Sequence, residues 1–294
     1  MRIVRPAKPA KSWDGVAKSM REPGSAGILP ALFLNVKLTY PVQYSILENP
    51  IVPLQSAYMN VVPDDTHLQI GGILFPELDQ ADFTGPFEVL SRIPNSTFHV
   101  LAKIKQPVRD AKGLVLTPEK TLSESPALDV LLVPGGGGVN AVMEDEATLA
   151  FVREQAAGAR FVFSVCTGAL ICGAAGLLKG RRATTHWASH HLLNYFGAFP
   201  VSERVVIDGN LISAAGVTAG LDGALRVVSL LRGERAAQEI QLYVQYAPEP
   251  PFNSGDPETA PAEIVQAGRR ALDGLLKNRL VIVQRAAARL GVKT

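Results

Sequence analysis

From Leu68 onward the chain alternates between short apolar runs of strand type and longer runs with helical spacing. Leu68–Phe75, Phe98–Ile104, Val130–Val133 and Phe161–Val165 are rich in β-branched, leucine and aromatic residues, as strands buried on both faces require. Between them the spacing predicts helices over about Phe83–Ser91, Asp145–Ala157 and Gly168–Leu178, with a turn-rich hairpin region before Val130. Farther on, Arg204–Ile207 and Leu211–Ala214 flank Asp208-Gly209-Asn210, a good hairpin turn, and Thr218–Leu231 returns to helical spacing. Such alternation predicts an α/β fold, a mostly parallel sheet covered by helices on both faces.

The two ends of the chain break this pattern. Residues 1–66 have scattered prolines and weak periodicity and are expected to form an irregular extension, followed by a domain over 67–246. In the last part, 247–294, the stretch "APEPPFNSGDPETAP" is too rich in proline and turn formers for regular structure and predicts an extended surface segment. Ala262–Leu290 then has helical period and a basic composition, with only Glu263 and Asp273 as acids. A helix of this kind is expected to pack on or beside the domain with a solvated basic face.

Charge narrows the choice of partners. Residues 1–58 hold seven Lys/Arg and three Asp/Glu, so the remainder has 29 − 7 = 22 basic and 27 − 3 = 24 acidic residues, a net of −2. A nearly neutral body argues against a nucleic-acid surface. No apolar run approaches the roughly 20 residues that span a bilayer, so no membrane insertion is expected. Gly27–Val36 imitates a signal-peptide core behind basic residues, but Pro30 interrupts it and no small-residue cleavage site follows. The two cysteines, Cys166 and Cys172, lie too close together to staple a fold, which places the protein in a reducing compartment, the cytoplasm.

Ligands of open α/β sheets bind beyond the carboxyl ends of the strands, and three strand ends here carry chemistry. After Phe161–Val165 come Cys166, Thr167 and Gly168, a thiol on a strand-to-helix junction facing the positive end of a helix, a position expected to lower its pKa. The alternative is a small hydrophobe filling the core. After Val130–Val133 comes "PGGGGVN", whose glycines let backbone N–H groups approach a ligand, although a glycine run alone is common punctuation and lacks the Lys-Ser/Thr ending of a phosphate loop. After Leu68–Phe75 comes "PELDQADFTGPFEVL", in which Asp82 is either a proton carrier or the cap of the helix that follows. His186 and His190 form an i, i+4 pair, yet no third ligand stands at suitable spacing, so no metal is expected. Cys172, inside the helix, is expected to be packed in the core and unreactive.

Taken together, "ILFPELDQADFTGPFEVL", "LLVPGGGGV", "FSVCTGALICGAAGLLKGRRATTHWA", "ERVVIDGNLISAAGVTAGLDGAL" and "YAPEPPFNSGDPETAP" resemble, in order and spacing, the DJ-1/PfpI superfamily, and most closely its isonitrile hydratase branch. The resemblance covers about Leu68 to the C-terminus. It implies a flavodoxin-like sandwich, the cysteine on a nucleophile elbow, a homodimer acting on a small molecule, and no metal or organic cofactor. It also implies catalytic roles for Cys166, Thr167 and Asp82, with support from Gly135, Gly136 and His186. The expected reaction is thiolate attack on an isonitrile carbon with Asp82 as general acid and base, and with the N–H groups of Thr167 and Gly136 holding the thiolate or the developing charge.

Thr167 stands where protease-like members of the superfamily carry a histidine, so peptidase activity is not expected. Related domains occur as sensor halves of AraC-type regulators, but residues 262–294 are too few for the helix-turn-helix pair such proteins need. A DJ-1-like glyoxalase or deglycase and a thiol-based stress or redox sensor remain as alternatives. Finally, the separate charge balance of the first 58 residues makes Met59 an alternative start, unless the apolar stretches Ile28–Val36 and Val42–Leu47 dock on the domain.

Overall fold

The computed structural model describes residues 61–292, so the readings made for residues 1–60 lie outside the described residues. The elements follow in order as β1 (Leu68–Leu74), α1 (Gln80–Leu90), β2 (Ser96–Ala102), β3 (Val108–Arg109), β4 (Val115–Leu116), β5 (Lys120–Thr121), β6 (Val130–Val133), α2 (Val139–Val142), α3 (Glu146–Gly158), β7 (Phe161–Val165), α4 (Gly168–Ala174), β8 (Arg182–Ala183), β9 (Phe199–Pro200), β10 (Val205–Asp208), β11 (Leu211–Ala214), α5 (Ala219–Tyr243) and α6 (Ala262–Arg289).

Seven strands form one sheet in the order β10-β11-β7-β6-β1-β2-β5. Every pairing in it is parallel except β10 with β11, the hairpin read from Asp208-Gly209-Asn210. Without the edge strands β10 and β5, the order β2-β1-β6-β7-β11 is the doubly wound, flavodoxin-like arrangement. The chain therefore reverses its winding direction between β1 and β6, and the crevice that this reversal opens lies at their carboxyl ends.

Continuous apolar strands are the reason for the two helical layers. All of β6 and β7 is buried, and Phe163, Leu131, Leu132 and Ile70 are among the fully buried side chains. Helices α1 and α5 pack on each other and on the sheet, whereas α2, α3, α4 and α6 form the other layer. Helix α5 runs past the expected end at Leu231, with a break at Gly233, where φ is 83°. Only glycine enters that region without strain.

The packed structure begins ahead of the boundary drawn at residue 67. Val62 is buried, and its N–H donates to Leu231 O at 2.8 Å. Arg232, also buried, donates to the carbonyls of Val62, Pro63, Thr66, Pro94 and Asn95. The periodicity of residues 61–66 is weak because carbonyl oxygens, rather than a side-chain stripe, anchor this segment.

Candidate active site

Three loops meet at the switch between β1 and β6, and each contributes one of the residues picked out in the sequence. The sharpest feature is Cys166. Strand β7 stops at Val165, and Cys166 takes φ 54°, a left-handed value that costs a non-glycine residue about 1–3 kcal/mol. Neighbours hold it there: its N–H donates to Ala214 O at 3.0 Å, and Thr185 Oγ1 donates to its carbonyl at 2.7 Å. The chain turns directly from strand into α4, so Cys166 occupies a nucleophile elbow.

Asp82 comes from the segment after β1. Helix α1 starts earlier than expected, at Gln80, because Asp79 is its cap, extended at φ −82° and ψ 114° and accepting the Ala81 N–H at 3.1 Å. This removes the capping alternative for Asp82, which lies inside the first turn and is 0% exposed. Its Oδ2 accepts the Gly135 N–H at 3.0 Å, and its buried Oδ1 has no hydrogen-bond partner among the described residues. Burial, and then the charge of Asp79, push its pKa up to about 7.

The glycine loop after β6 is locked between the other two. Gly135 donates its N–H to Asp82, accepts the Asp79 N–H at 2.9 Å, and Gly136 donates to Thr167 Oγ1 at 3.0 Å. Gly136 sits at φ 128°, and a Cβ there would collide with Asp79 N. Only glycine permits this approach. The expectation that the Gly136 N–H would hold developing charge is corrected by this arrangement: the donor is engaged by Thr167 Oγ1, so Gly136 fixes Thr167 instead.

The acidity of the thiol also differs from expectation. Burial, reinforced by the nearby charge of Asp82, raises the Cys166 pKa well above its ordinary value, and the hydrogen bond from the Thr167 N–H only partly offsets this. Helix α4 has just seven residues, and its N-terminal field does not outweigh a carboxylate next to the sulfur. A charged Asp82 thus opposes ionisation of Cys166, and the carboxyl ionises before the thiol. Cys172 is fully buried, and burial pushes its thiol up to about 12, in keeping with a core residue.

His186 does not hydrogen-bond to the thiol. Its Nδ1 accepts the Ala188 N–H at 3.4 Å and so caps a 3-10 helix over Trp187–Phe196. Burial, then the cation of Arg279, lower its pKa and keep the imidazole neutral. Among the described residues no three His, Cys, Asp or Glu side chains converge as a metal site.

Sequence reasoning missed Arg279, which reaches the glycine loop from α6 and is 3% exposed. Its Nη2 donates to Gly136 O at 2.9 Å, Nε to Asn140 Oδ1 at 2.8 Å and Nη1 to Ser189 Oγ at 3.1 Å. A signal was present. Arg279 stands at helical spacing before Ile282, Val283, Ala286 and Ala287, the buried stripe of α6, and therefore points inward with them.

A polar groove of about 920 Å³ lies elsewhere, lined by Arg204, Asp222 and Tyr246 among others. No residue of the elbow, of the Asp82 turn or of the glycine loop borders it, so its size does not compete with the chemistry assembled at Cys166. Among the described residues no helix is long and apolar enough to cross a membrane.

Comparison with known proteins places this geometry. The chain is 52% identical over 226 residues to the isonitrile hydratase of Pseudomonas putida, which covers 77% of this chain and 99% of that protein. It is 27% identical to DJ-1alpha of Drosophila melanogaster over 57% of this chain and 79% of that one. A crystal structure of a ThiJ/PfpI family protein from Pseudomonas syringae superposes with a TM-score of 0.73 at 39% identity, covering 81% of this chain and 99% of that one. Residues 70–230 match the model of the DJ-1/PfpI family, and with a flavodoxin-like sheet, a cysteine elbow and a relative at 52% identity along nearly its whole length, the chain belongs to that family.

Proposed function

We propose that this protein hydrates an isonitrile, R–N≡C, to the N-substituted formamide R–NH–CHO, with Cys166 as nucleophile and Asp82 as proton carrier. The observation that carries the reading is the Asp82 carboxyl: fully buried, tethered through Oδ2, free at Oδ1 and tuned to about 7 beside an elbow thiol. A general acid and base works best with a pKa near the operating pH. The name borne by the Pseudomonas putida relative supports the same choice of substrate.

Asp82 takes the thiol proton and delivers it to the terminal carbon of the isonitrile as the thiolate bonds to that carbon, giving the thioimidate R–N=CH–S–Cys166. Water then adds to the same carbon. Asp82 accepts one proton from it and passes it to nitrogen, which leaves R–NH–CH(OH)–S–Cys166. In the last step the hydroxyl proton goes through Asp82 to sulfur as the C–S bond breaks, releasing the formamide and the thiol. The Thr167 N–H stabilises the sulfur whenever it carries charge, and Gly136 holds Thr167 in place for this. A positioned proton carrier contributes about 10²–10⁴ in rate.

A homodimer acting on a small molecule in the cytoplasm completes the reading. The exposed Leu242, Tyr243 and Phe252 offer apolar surface that association would cover. The deciding experiment incubates the purified protein with cyclohexyl isocyanide and, separately, with methylglyoxal. Formamide in the first tube supports the proposal; lactate in the second, with no formamide in the first, replaces it with glyoxalase chemistry.

A further inference from the structure

One cation of α6 faces away from solvent. Other basic side chains of this helix stay at the surface, as Lys277 does with Asp273 and Arg285 with Glu144. Arg279 is buried, and no carboxylate pairs with it among the described residues; its three partners are the neutral Gly136 O, Asn140 Oδ1 and Ser189 Oγ. A guanidinium without a counter-charge is unfavourable in a protein interior, and such groups persist where an anion forms nearby or where their geometry is needed.

The second condition holds here. The carbonyl that Arg279 grips belongs to Gly136, whose N–H holds Thr167 Oγ1, and Thr167 in turn presents its N–H to the Cys166 sulfur. One guanidinium therefore ties α6, α2 through Asn140, and the 3-10 segment through Ser189 to the loop under the nucleophile. Burial lowers the Arg279 pKa, and the negative charge of the Cys166 thiolate opposes that shift. Resting on Cys166 as the nucleophile, we propose that Arg279 is a positioning residue of the active site: it holds the Gly135–Gly136 loop against Thr167 and so keeps the Thr167 N–H aimed at the Cys166 sulfur.

Four groups bear on the ionisation of the thiol. Asp82 and Asp79 oppose the thiolate, the Thr167 N–H favours it, and His186, kept neutral by burial and by Arg279 itself, contributes no cation near neutral pH. Arg279 acts on the thiol through one of them, the Thr167 N–H. A residue that acts only by filling space would not change the titration of the thiol.

The test uses the full chain and the variants Arg279→Met, Arg279→Lys and Arg285→Ala, the last a surface control. For each, kcat and KM on cyclohexyl isocyanide and the pH profile of Cys166 alkylation by iodoacetamide are measured, the labelled site being read by mass spectrometry. Arg279→Met is expected to shift the alkylation midpoint upward by about one unit, which slows labelling about tenfold at fixed pH below the midpoint. It should also lower kcat at least tenfold with KM changed less than threefold. Arg279→Lys should also raise the midpoint and lose kcat, because one ammonium nitrogen cannot reach three acceptors spaced for the three nitrogens of a guanidinium. Arg285→Ala should match the parent in every readout.

A folded Arg279→Met with the parental alkylation profile overturns the positioning role, and so does an Arg279→Lys with parental kcat. If Arg279→Met does not fold, Arg279→Lys and Asn140→Ala carry the test, and parental kcat in both overturns the proposal. Alkylation needs no substrate. A parent protein that leaves isonitriles untouched, yet shows the Arg279→Met shift, rejects the proposed reaction and keeps the role of Arg279.

Discussion

Gly135 donates its N–H to one oxygen of Asp82 at 3.0 Å and leaves the other oxygen of the same carboxyl buried without a partner. The tether fixes where the carboxyl points, and in the proposed reaction the open oxygen takes up and releases the proton. Asp82→Asn keeps the shape but cannot carry a proton. It is expected to lower kcat about 10²–10⁴-fold with the fold retained, as measured by steady-state assay and circular dichroism. Parental kcat in this variant would falsify the assignment.

The same residue makes stability depend on pH. Its carboxyl is raised from 3.8 to about 7 in the folded protein, so the folded state holds the proton more firmly than the unfolded chain. The contribution is fully present below pH 3.8 and is lost as pH rises through about 7. At 1.36 kcal/mol per unit, the difference is at most about 4 kcal/mol. Thermal melts from pH 5 to pH 8 should show the parent losing stability and Asp82→Asn losing less; parallel curves contradict the buried, raised carboxyl. In catalysis, kcat/KM should rise with pH through about 7, because the carboxylate form begins the cycle.

The two cysteines should separate cleanly. Cys166→Ala and Cys166→Ser are expected to abolish turnover, whereas Cys172→Ala keeps most of it at a cost of about 1–2 kcal/mol for the small cavity. Iodoacetamide should label Cys166 slowly near neutral pH and faster in alkali, since burial and Asp82 raise its pKa. Labelling of Cys172 ahead of Cys166 would reverse the assignment.

Thr167→Val removes the acceptor of the Gly136 N–H and leaves that donor without a partner, a loss of about 1–3 kcal/mol. A fall in kcat of tenfold or more is expected, with Thr167→Ser restoring most of it. If valine and serine behaved alike, the hydroxyl would not be holding the loop.

Arg232 gives the structural counterpart of Arg279. It binds five carbonyl oxygens and none of the candidate catalytic residues. Arg232→Met should lower the thermal midpoint by several degrees while the alkylation profile of Cys166 stays unchanged. A shifted profile would mean that loss of stability alone perturbs the thiol.

The strands were legible because strands buried on both faces appear as unbroken apolar runs: Val130–Val133 and Phe161–Val165 match to the residue. The start of α1 was placed late because Asp79 and Asp82 are both cap-type residues, and only φ and ψ decide between them. Helix α4 ends early, where Gly176 at φ 85° follows its cap, and α5 continues beyond Gly233 because its outer turns are polar and carry little periodicity. At the site, residue identities were readable and energies were not. The acidity of Cys166 depends on the distance to a carboxylate 84 positions earlier in the chain, and the role of Arg279 on which face of a basic helix turns inward.

The winding order of the sheet also makes the site a product of contacts between distant parts of the chain. Strand β1 pairs with β6, Ile70 opposite Val130, so a long intervening chain must close before the first edge of the crevice exists. The elbow can form once β7 and β11 have joined the sheet, because Ala214 is the residue that receives the Cys166 N–H. Helix α6 follows all of these along the chain. The contact of Arg279 with the Gly136 carbonyl therefore spans 143 positions, so the loop beside Cys166 takes its final shape only in a chain whose distant helix has come home.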